Sequence, residues 1–338
     1  MNNPIGIFDS GLGGLTVLRD MQAVMPHEHF VYVADSVYAP YGSKNSDIIL
    51  QRSLQITAWL QGNHHIKALV VACNTATAAA VLQLRQVLDI PVIAMEPAIK
   101  PAVARTQTGV VGVLATANTL ASDKFSKLLD SHQHQARIIT QPCTGWVEAI
   151  EQGELESAAT QTLVAAHVQP LLDAGVDTLV LGCTHYPWLE PVIRALVGEQ
   201  VLIISTGFAV AKQVLHQLNI AGALNPSKEQ GKVRFWTSGD GKQVSKVAGV
   251  LLQQAVLFQP MIQQHETMII EFELEKKQQL LFQALLQGED GLGFVRCIHG
   301  VQQLWTTSAQ LDALKDWLKS LPKSFNLCIL QEYVWTGE

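Results

Sequence analysis

The stretch IKALVVACNT, residues 66–75, decides the fold of this chain. Its continuous apolar run is typical of a strand buried on both faces of a parallel sheet. The run ends on a thiol, an amide and a hydroxyl. A second stretch, VDTLVLGCTH (176–185), aligns with the first without a gap at an offset of 110 residues. A buried strand that ends at a cysteine therefore occurs twice.

The segments around these two strands repeat in the same way. GIFDS (6–10) and GVLAT (112–116) are both strands that run into a hydroxyl residue, at an offset of 106. We interpret the pair of repeats as a duplication with a cysteine at equivalent places in each half. Strands that alternate with helices indicate parallel sheets covered on both faces. Further strands are predicted at 30–34, 91–95, 137–140 and 201–205, with helices at 47–61, 75–88, 154–173 and 189–197.

These patterns predict an α/β protein with two parallel-sheet halves related by duplication, and a small C-terminal α+β module. The first domain is predicted to comprise residues 1–97 and 207–258, including a helix that ends near Phe258, and the second residues 98–206. Residues 259–266 are predicted to be a linker. Residues 267–338 alternate as βαββαβ, which is typical of a ferredoxin-like fold.

Composition narrows the classes of function. The 338 residues carry a net charge of −6 without a basic stripe, so nucleic-acid binding has no electrostatic support. No apolar run approaches the roughly 18 residues that a membrane span needs, and the N-terminus lacks the features of a signal peptide. Five cysteines in so long a chain do not indicate a disulfide framework. We therefore expect a cytoplasmic protein with reduced thiols and a small-molecule substrate.

Two thiols at equivalent strand ends suggest a specific chemistry. Ligands of parallel α/β folds bind beyond the carboxyl ends of the strands, where Cys73 and Cys183 are predicted to lie. If the two halves face each other, the thiols approach a substrate from opposite sides. One thiol can then remove an α-proton while the other returns a proton to the opposite face, which inverts a stereocentre without a cofactor.

Neighbouring residues can support such thiols. A free thiol has a pKa of about 8.5, so its thiolate needs a proton acceptor nearby. Asp9-Ser10 at the end of the first strand and His185 after Cys183 are the candidates. The loop GLGG (11–14) opens the first helix, where its backbone N–H groups can bind an anion. Neutral donors for a substrate carboxylate are Asn74, Thr75 and Thr184.

Four motifs, taken in order, resemble the glutamate racemase family of the aspartate/glutamate racemases: DSGLGGLTVLR (9–19), APYG (39–42), ACNTATA (72–78) and GCTHYP (182–187). The resemblance covers roughly residues 4–258. It implies two pseudosymmetric parallel-sheet α/β domains with the active site between them. It also implies interconversion of L- and D-glutamate without a cofactor or metal, and the supply of D-glutamate for bacterial peptidoglycan. A homodimer is a further expectation. The C-terminal module departs from the usual family pattern.

The resemblance also implies roles for individual residues. Cys73 would deprotonate D-glutamate with help from Asp9, and Cys183 would deprotonate L-glutamate with help from His185. Glu151 falls where the family keeps an assisting carboxylate, and Asp35 at a supporting acidic position. The implied substrate-binding residues are Asp9, Ser10, Tyr41, Gly42, Asn74, Thr75, Thr116, Thr119, Thr184 and His185.

Other interpretations of the same residues stay open. Cys73, Cys183, His185 and Asp9 are a possible zinc ligand set. The chain can also be a non-catalytic amino-acid sensor, or a racemase of another acidic amino acid such as aspartate. The other cysteines are not assigned to catalysis: Cys143, before a turn, is interpreted as a packing or lining residue, and Cys297 and Cys328 as packing residues in core strands.

Overall fold

Two parallel sheets form the part of the chain that carries the repeats. In the described residues, the first sheet has the strand order β10-β9-β2-β1-β3-β4, and all its pairs are parallel. Its strands are Ile5–Asp9 (β1), Phe30–Ala34 (β2), Ala68–Val71 (β3), Val92–Ala94 (β4), Val233–Thr237 (β9) and Phe258–Pro260 (β10). The second sheet has the order β6-β5-β7-β8, from Val110–Ala115 (β5), Arg137–Pro142 (β6), Thr178–Leu181 (β7) and Leu202–Ile204 (β8).

The coordinates are a computed structural model that describes residues 2–132, 134–261, 267–287, 289, 292–298, 301–307, 310–322 and 324–334. Two units separate by their internal contacts, Met1–Met261 and Ile262–Glu338. The α-helices of the first unit are Leu15–Val24 (α1), Ser46–His64 (α2), Asn74–Val87 (α3), Ile99–Val103 (α4), Ala117–Leu120 (α5), Asp123–Asp130 (α6), Trp146–Glu151 (α7), Ala158–Asp173 (α8), Glu190–Val197 (α9), Gly207–Ile220 (α10) and Gly241–Leu252 (α11). Short 3₁₀ turns cover Ser36–Tyr38, Tyr41–Ser43 and Tyr186–Leu189.

The two sheets repeat each other's strand order. The order β2-β1-β3-β4 in the first sheet corresponds to β6-β5-β7-β8 in the second. The central strands β1, β3 and β7 are buried at every position, because helices cover both faces of each sheet. The predicted α/β fold class with two pseudosymmetric parallel sheets is therefore confirmed. The bounds predicted for the domains stay a prediction.

Strand β10 corrects the sequence analysis at the end of the first unit. The predicted helix up to Phe258 ends earlier, at Leu252 of α11, where Gln253 adopts a left-handed backbone with φ of 53°. Gln259 and Pro260, predicted to begin the linker, pair with Trp236 and Thr237 of β9. Such a short edge strand has no alternating pattern, and Pro is tolerated at an edge. Residues 262–266 of the predicted linker lie outside the described residues.

The second unit has the predicted βαββαβ order. Thr267–Glu273 (β11), Phe294–Ile298 (β12), Val301–Thr307 (β13) and Cys328–Val334 (β14) form an antiparallel sheet in the order β12-β13-β11-β14. The helices are Lys276–Gln287 (α12) and Leu311–Ser320 (α13). Ile270, Phe272, Phe282, Leu304 and Leu314 pack between sheet and helices. This order is the one expected of a ferredoxin-like fold.

Cys297 and Cys328 were predicted to be core residues, and this is wrong. Both side chains are exposed, because they lie on β12 and β14, the two outer strands of the sheet. An apolar sequence pattern does not distinguish an edge strand from a central one.

Candidate active site

The two thiols occupy matching positions in the two sheets. Cys73 lies two residues beyond the last residue of β3, and Cys183 lies two residues beyond β7. Both side chains are buried, with exposed fractions of 5% and 8%. Cys73 is also the N-cap of α3, where its Sγ accepts a hydrogen bond from the Ala76 backbone N–H at 3.4 Å. The equivalent strand ends therefore carry the two cysteines that the sequence repeats predicted.

The Asp9 carboxylate contacts residues that follow strands of both sheets. It is the last residue of β1 and is fully buried. Its carboxylate accepts hydrogen bonds from the backbone N–H of Ser10 at 2.7 Å, from the backbone N–H of Gly14, and from the Thr184 hydroxyl at 3.3 Å. Thr184 follows β7 of the other sheet, so this carboxylate is shared by both halves of the site.

A chain of polar groups leads from Cys73 to Asp9. The Cys73 thiol lies 3.8 Å from the Ser10 hydroxyl, and that hydroxyl donates to Asp9 Oδ1 at 3.3 Å. Burial raises the pKa of Asp9, although the charge of His185 and the backbone hydrogen bonds act in the opposite direction. Burial and the negative charge of Asp9 raise the pKa of Cys73 well above its ordinary value. Asp9 is thus a stronger base than an exposed aspartate, placed one hydroxyl away from the thiol.

A different set of groups supports Cys183. Its Sγ lies 3.8 Å from Nδ1 of His185, and Nε2 of His185 lies 2.6 Å from Glu151 Oε1. Burial lowers the pKa of His185, but the hydrogen bonds to Cys183 and Glu151 and the charge of Asp9 together raise it well above 6.5. The imidazole thus has a thiol on one nitrogen and a carboxylate on the other, and both contacts favour its protonated form.

The proton on Nε2 of His185 can be assigned. The backbone N–H of Gly13 also points at Nε2, at 3.2 Å, which would require that nitrogen to be an acceptor. Nε2 cannot accept from Gly13 and donate to Glu151 at once. The carboxylate contact is shorter and its acceptor is charged, so Nε2–H donates to Glu151, and Nδ1 is left facing the Cys183 sulfur, where it can accept the thiol proton.

The glycine loop contacts these side chains through its backbone. The Leu12 N–H donates to Glu151 Oε1 at 2.6 Å, and the Gly14 N–H donates to Asp9. We expected this loop to bind an anion; in the structure its N–H groups bind carboxylates of the protein itself. The approach leaves no room for a side chain, since a Cβ on Gly11 would lie 2.1 Å from Glu151 Oε1.

Hydroxyl and amide groups gather at the start of α3 and just beyond β5. The Thr75 hydroxyl at the start of α3 lies 3.0 Å from that of Thr116 and 3.3 Å from that of Thr119, both beyond β5. Asn74 is 6% exposed, and within the described part of the chain neither polar atom of its side chain has a hydrogen-bond partner. A buried amide without partners is costly unless a ligand binds it.

Tyr41 and Gly42 lie in the 3₁₀ turn Tyr41–Ser43. The Tyr41 hydroxyl donates to Asp35 at 2.6 Å. Asp35 also accepts hydrogen bonds from Nη2 and Nε of Arg52, at 2.7 and 3.0 Å. Burial and the charge of Asp35 raise the pKa of Tyr41. Its hydroxyl is thus used within the protein, and any contact of Tyr41 with a substrate is expected from its backbone.

Three residues of the site were missed or placed only loosely by the sequence analysis. Arg52 forms the buried ion pair with Asp35, and an arginine inside a predicted helix gave no signal of this. The Asn118 side-chain amide donates to the backbone carbonyls of Tyr41 and Lys44, at the two ends of the turn Tyr41–Ser43. Cys143, interpreted as packing or lining, is buried and lines a cavity of about 90 Å³ that also touches Gly42.

Among the described residues, no group of three or more His, Cys, Asp or Glu side chains is arranged to hold a metal ion. In the same part of the chain, no helix combines the length and the apolar character that crossing a membrane requires.

Comparison with known proteins assigns the chain to a family. Residues 14–214 match the Asp/Glu/Hydantoin racemase family. The chain is 49% identical over 250 residues to a glutamate racemase of Ectopseudomonas mendocina, which covers 74% of this chain and 94% of that protein.

Solved structures agree with this relationship. The crystal structure of the glutamate racemase isoform RacE1 from Bacillus anthracis superposes with a TM-score of 0.70 at 32% identity, covering 76% of this chain and 97% of that one. The glutamate racemase from Francisella tularensis in complex with D-glutamate gives 0.67 at 27% identity, covering 77% and 97%. The similarity extends over nearly the whole length of these relatives, and we conclude that the chain belongs to the Asp/Glu/Hydantoin racemase family.

Proposed function

We propose that this protein is a glutamate racemase that interconverts L- and D-glutamate with two thiols and no cofactor. We further propose that it supplies D-glutamate for peptidoglycan in the cytoplasm. The observation that carries the proposal is the matched position of Cys73 and Cys183, each two residues beyond an equivalent strand. The names of the relatives support glutamate as the substrate.

Each thiol is supported by a group suited to hold its proton. Cys73 deprotonates D-glutamate, and its own proton passes through the Ser10 hydroxyl towards Asp9, whose raised pKa makes it a good acceptor. Cys183 deprotonates L-glutamate after its own proton has passed to Nδ1 of His185, 3.8 Å away, which leaves a thiolate beside an imidazolium that Glu151 stabilises. The carbanion formed by one thiol takes a proton from the other thiol on the opposite face, which inverts the α-carbon.

The remaining polar groups bind the substrate without adding charge near the thiols. The hydroxyls of Thr75, Thr116 and Thr119 cluster within 3.3 Å of one another and can donate to a carboxylate. The unpartnered amide of Asn74 supplies a further donor. Neutral donors are preferred here, because a further cation in the site would add to the charge of His185, which already lowers the pKa of Asp9, and would weaken that carboxylate as a base.

The test is incubation of the enzyme with L-glutamate in deuterated water, followed by chiral analysis and measurement of α-deuterium. We expect D-glutamate that carries deuterium at the α-carbon, with aspartate as a poor substrate. Cys73→Ala and Cys183→Ala are each expected to abolish racemisation, whereas the exposed Cys297→Ala retains it. Normal racemisation in either active-site variant would refute the two-thiol mechanism, and stoichiometric zinc with loss of activity on chelation would favour a zinc protein instead.

A further inference from the structure

Asn118 joins the two halves of the site by its side-chain amide. It lies in α5, which follows strand β5 of the second sheet. Its Nδ2 donates to the backbone carbonyl of Tyr41 at 3.0 Å and to that of Lys44 at 2.8 Å. These two carbonyls stand at the beginning and just beyond the end of the turn Tyr41–Ser43, which belongs to the half that contains the first sheet. One amide group therefore spans the whole turn.

The turn is held firmly on its other side as well. The Tyr41 hydroxyl donates to Asp35 at 2.6 Å, and Asp35 follows strand β2 of the first sheet. Between these two attachments the turn lies against Thr116, because a Cβ on Gly42 would lie only 2.9 Å from the Thr116 Cβ. The position of the turn relative to the second half thus depends on Asn118, and its position relative to the first depends on Asp35.

We propose that Asn118 is a positioning residue for racemisation: it fixes the turn Tyr41–Ser43 against the hydroxyls of Thr75, Thr116 and Thr119. The inference rests on the proposed function, in which these hydroxyls bind a substrate carboxylate. Thr75 belongs to one half of the site, and Thr116 and Thr119 to the other. Without the Asn118 hydrogen bonds the contact between the two halves of the site loosens. The three hydroxyls are then no longer held at hydrogen-bonding distance from one another.

The expected effect is on binding rather than on the chemical step. The carboxylate keeps its charge while the α-proton moves, so its contacts stabilise the ground state and the transition state equally. Loss of such contacts raises KM and leaves kcat nearly unchanged. Loss of the two Asn118 hydrogen bonds is expected to raise KM by about tenfold or more for each enantiomer. A purely structural residue would instead lower the melting temperature or kcat.

Two variants of Asn118 test the inference in the full-length protein. Asn118→Leu removes both donors at similar volume, and Asn118→Asp places a carboxylate against the two carbonyls. The matched control is Asn63→Leu, because Asn63 is an exposed asparagine whose amide donates to the Trp59 carbonyl at 3.0 Å, within α2. Steady-state kinetics from both enantiomers, calorimetric binding of D-glutamate and thermal melting are measured for each protein.

We expect KM and the dissociation constant to rise about tenfold in Asn118→Leu and further in Asn118→Asp, with kcat within about threefold of wild type. The control is expected to match wild type. Wild-type KM in Asn118→Leu would overturn the inference, and so would unfolding of both variants, which would make Asn118 a stability residue. Failure of the wild-type protein to racemise glutamate would instead refute the proposed function.

Discussion

Substitution of Gly13 by alanine tests how rigidly His185 is held beside the Cys183 thiol. A Cβ on Gly13 would lie 2.2 Å from Nδ1 of His185, whereas ordinary contact begins at 3.4 Å. The imidazole or the loop must therefore move by 3.4 − 2.2 = 1.2 Å. His185 cannot swing away freely, because it is only 2% exposed and is hydrogen-bonded to Glu151 at 2.6 Å.

A shift of this size is expected to disable the thiol. Misplacement of a catalytic group by about 1 Å can cost about 100-fold in rate, and the contact between Nδ1 and Cys183 Sγ is already 3.8 Å long. We expect Gly13→Ala to lower kcat/KM about 100-fold. The loss should be equal in both directions, because the equilibrium constant between two enantiomers is one.

The assay follows racemisation from each enantiomer by circular dichroism and records the melting temperature of the same samples. Gly62→Ala is the matched control: Gly62 lies in α2, nothing lies within 4 Å of its added Cβ, and its φ is not positive. Its activity should be unchanged, and its stability should rise by up to about 1 kcal/mol, because alanine is the better helix former. A folded Gly13→Ala with kcat/KM within threefold of wild type would refute the argument.

Three further predictions follow from individual contacts. Glu151→Gln should lower the pKa of His185, which NMR titration of the imidazole measures. The raised pKa contributes folding stability that is present below pH 6.5 and lost as pH rises through the folded pKa, so this stability contribution of His185 should shrink in the variant. An unchanged pKa would contradict the assigned pair of His185 and Glu151. Asp177 accepts hydrogen bonds that outweigh its slight burial and lower its pKa from 3.8 to about 2. Asp177→Asn should therefore destabilise the protein by about 1 kcal/mol at neutral pH, after discounting for solvent screening at this partly exposed site. Chemical denaturation should show the difference disappearing as pH falls from 4 towards 2. A difference that persists at pH 2 would be contrary to this origin. A chain that ends at Met261 should stay folded and active in racemisation and melting assays. One that ends at Phe258 should be less stable, because it lacks the paired residues Gln259 and Pro260 of β10 and the bond from the Met261 N–H to the Thr237 carbonyl. Equal melting temperatures would argue against this boundary.

Much of the site could be predicted from local sequence. The continuous apolar strands indicated parallel sheets, and parallel strands end at one edge of a sheet. Residues that directly follow such strands must gather there, which is why Asp9, Cys73 and Cys183 could be assigned from the sequence and the repeat. The βαββαβ order of the second unit was likewise readable, since it depends on the alternation of short local patterns.

The sequence by itself thus determined the two sheets, their repetition and the residues at their strand ends. Only the tertiary structure decided the partners: Glu151 beside Leu12 and His185, Arg52 beside Asp35, and Asn118 across the turn at Tyr41. The physical reason is the range of the interactions. Backbone patterning acts over a few residues along the chain, whereas Leu12 and Glu151 are 139 residues apart and meet only because the packing of the two halves brings α7 against the glycine loop.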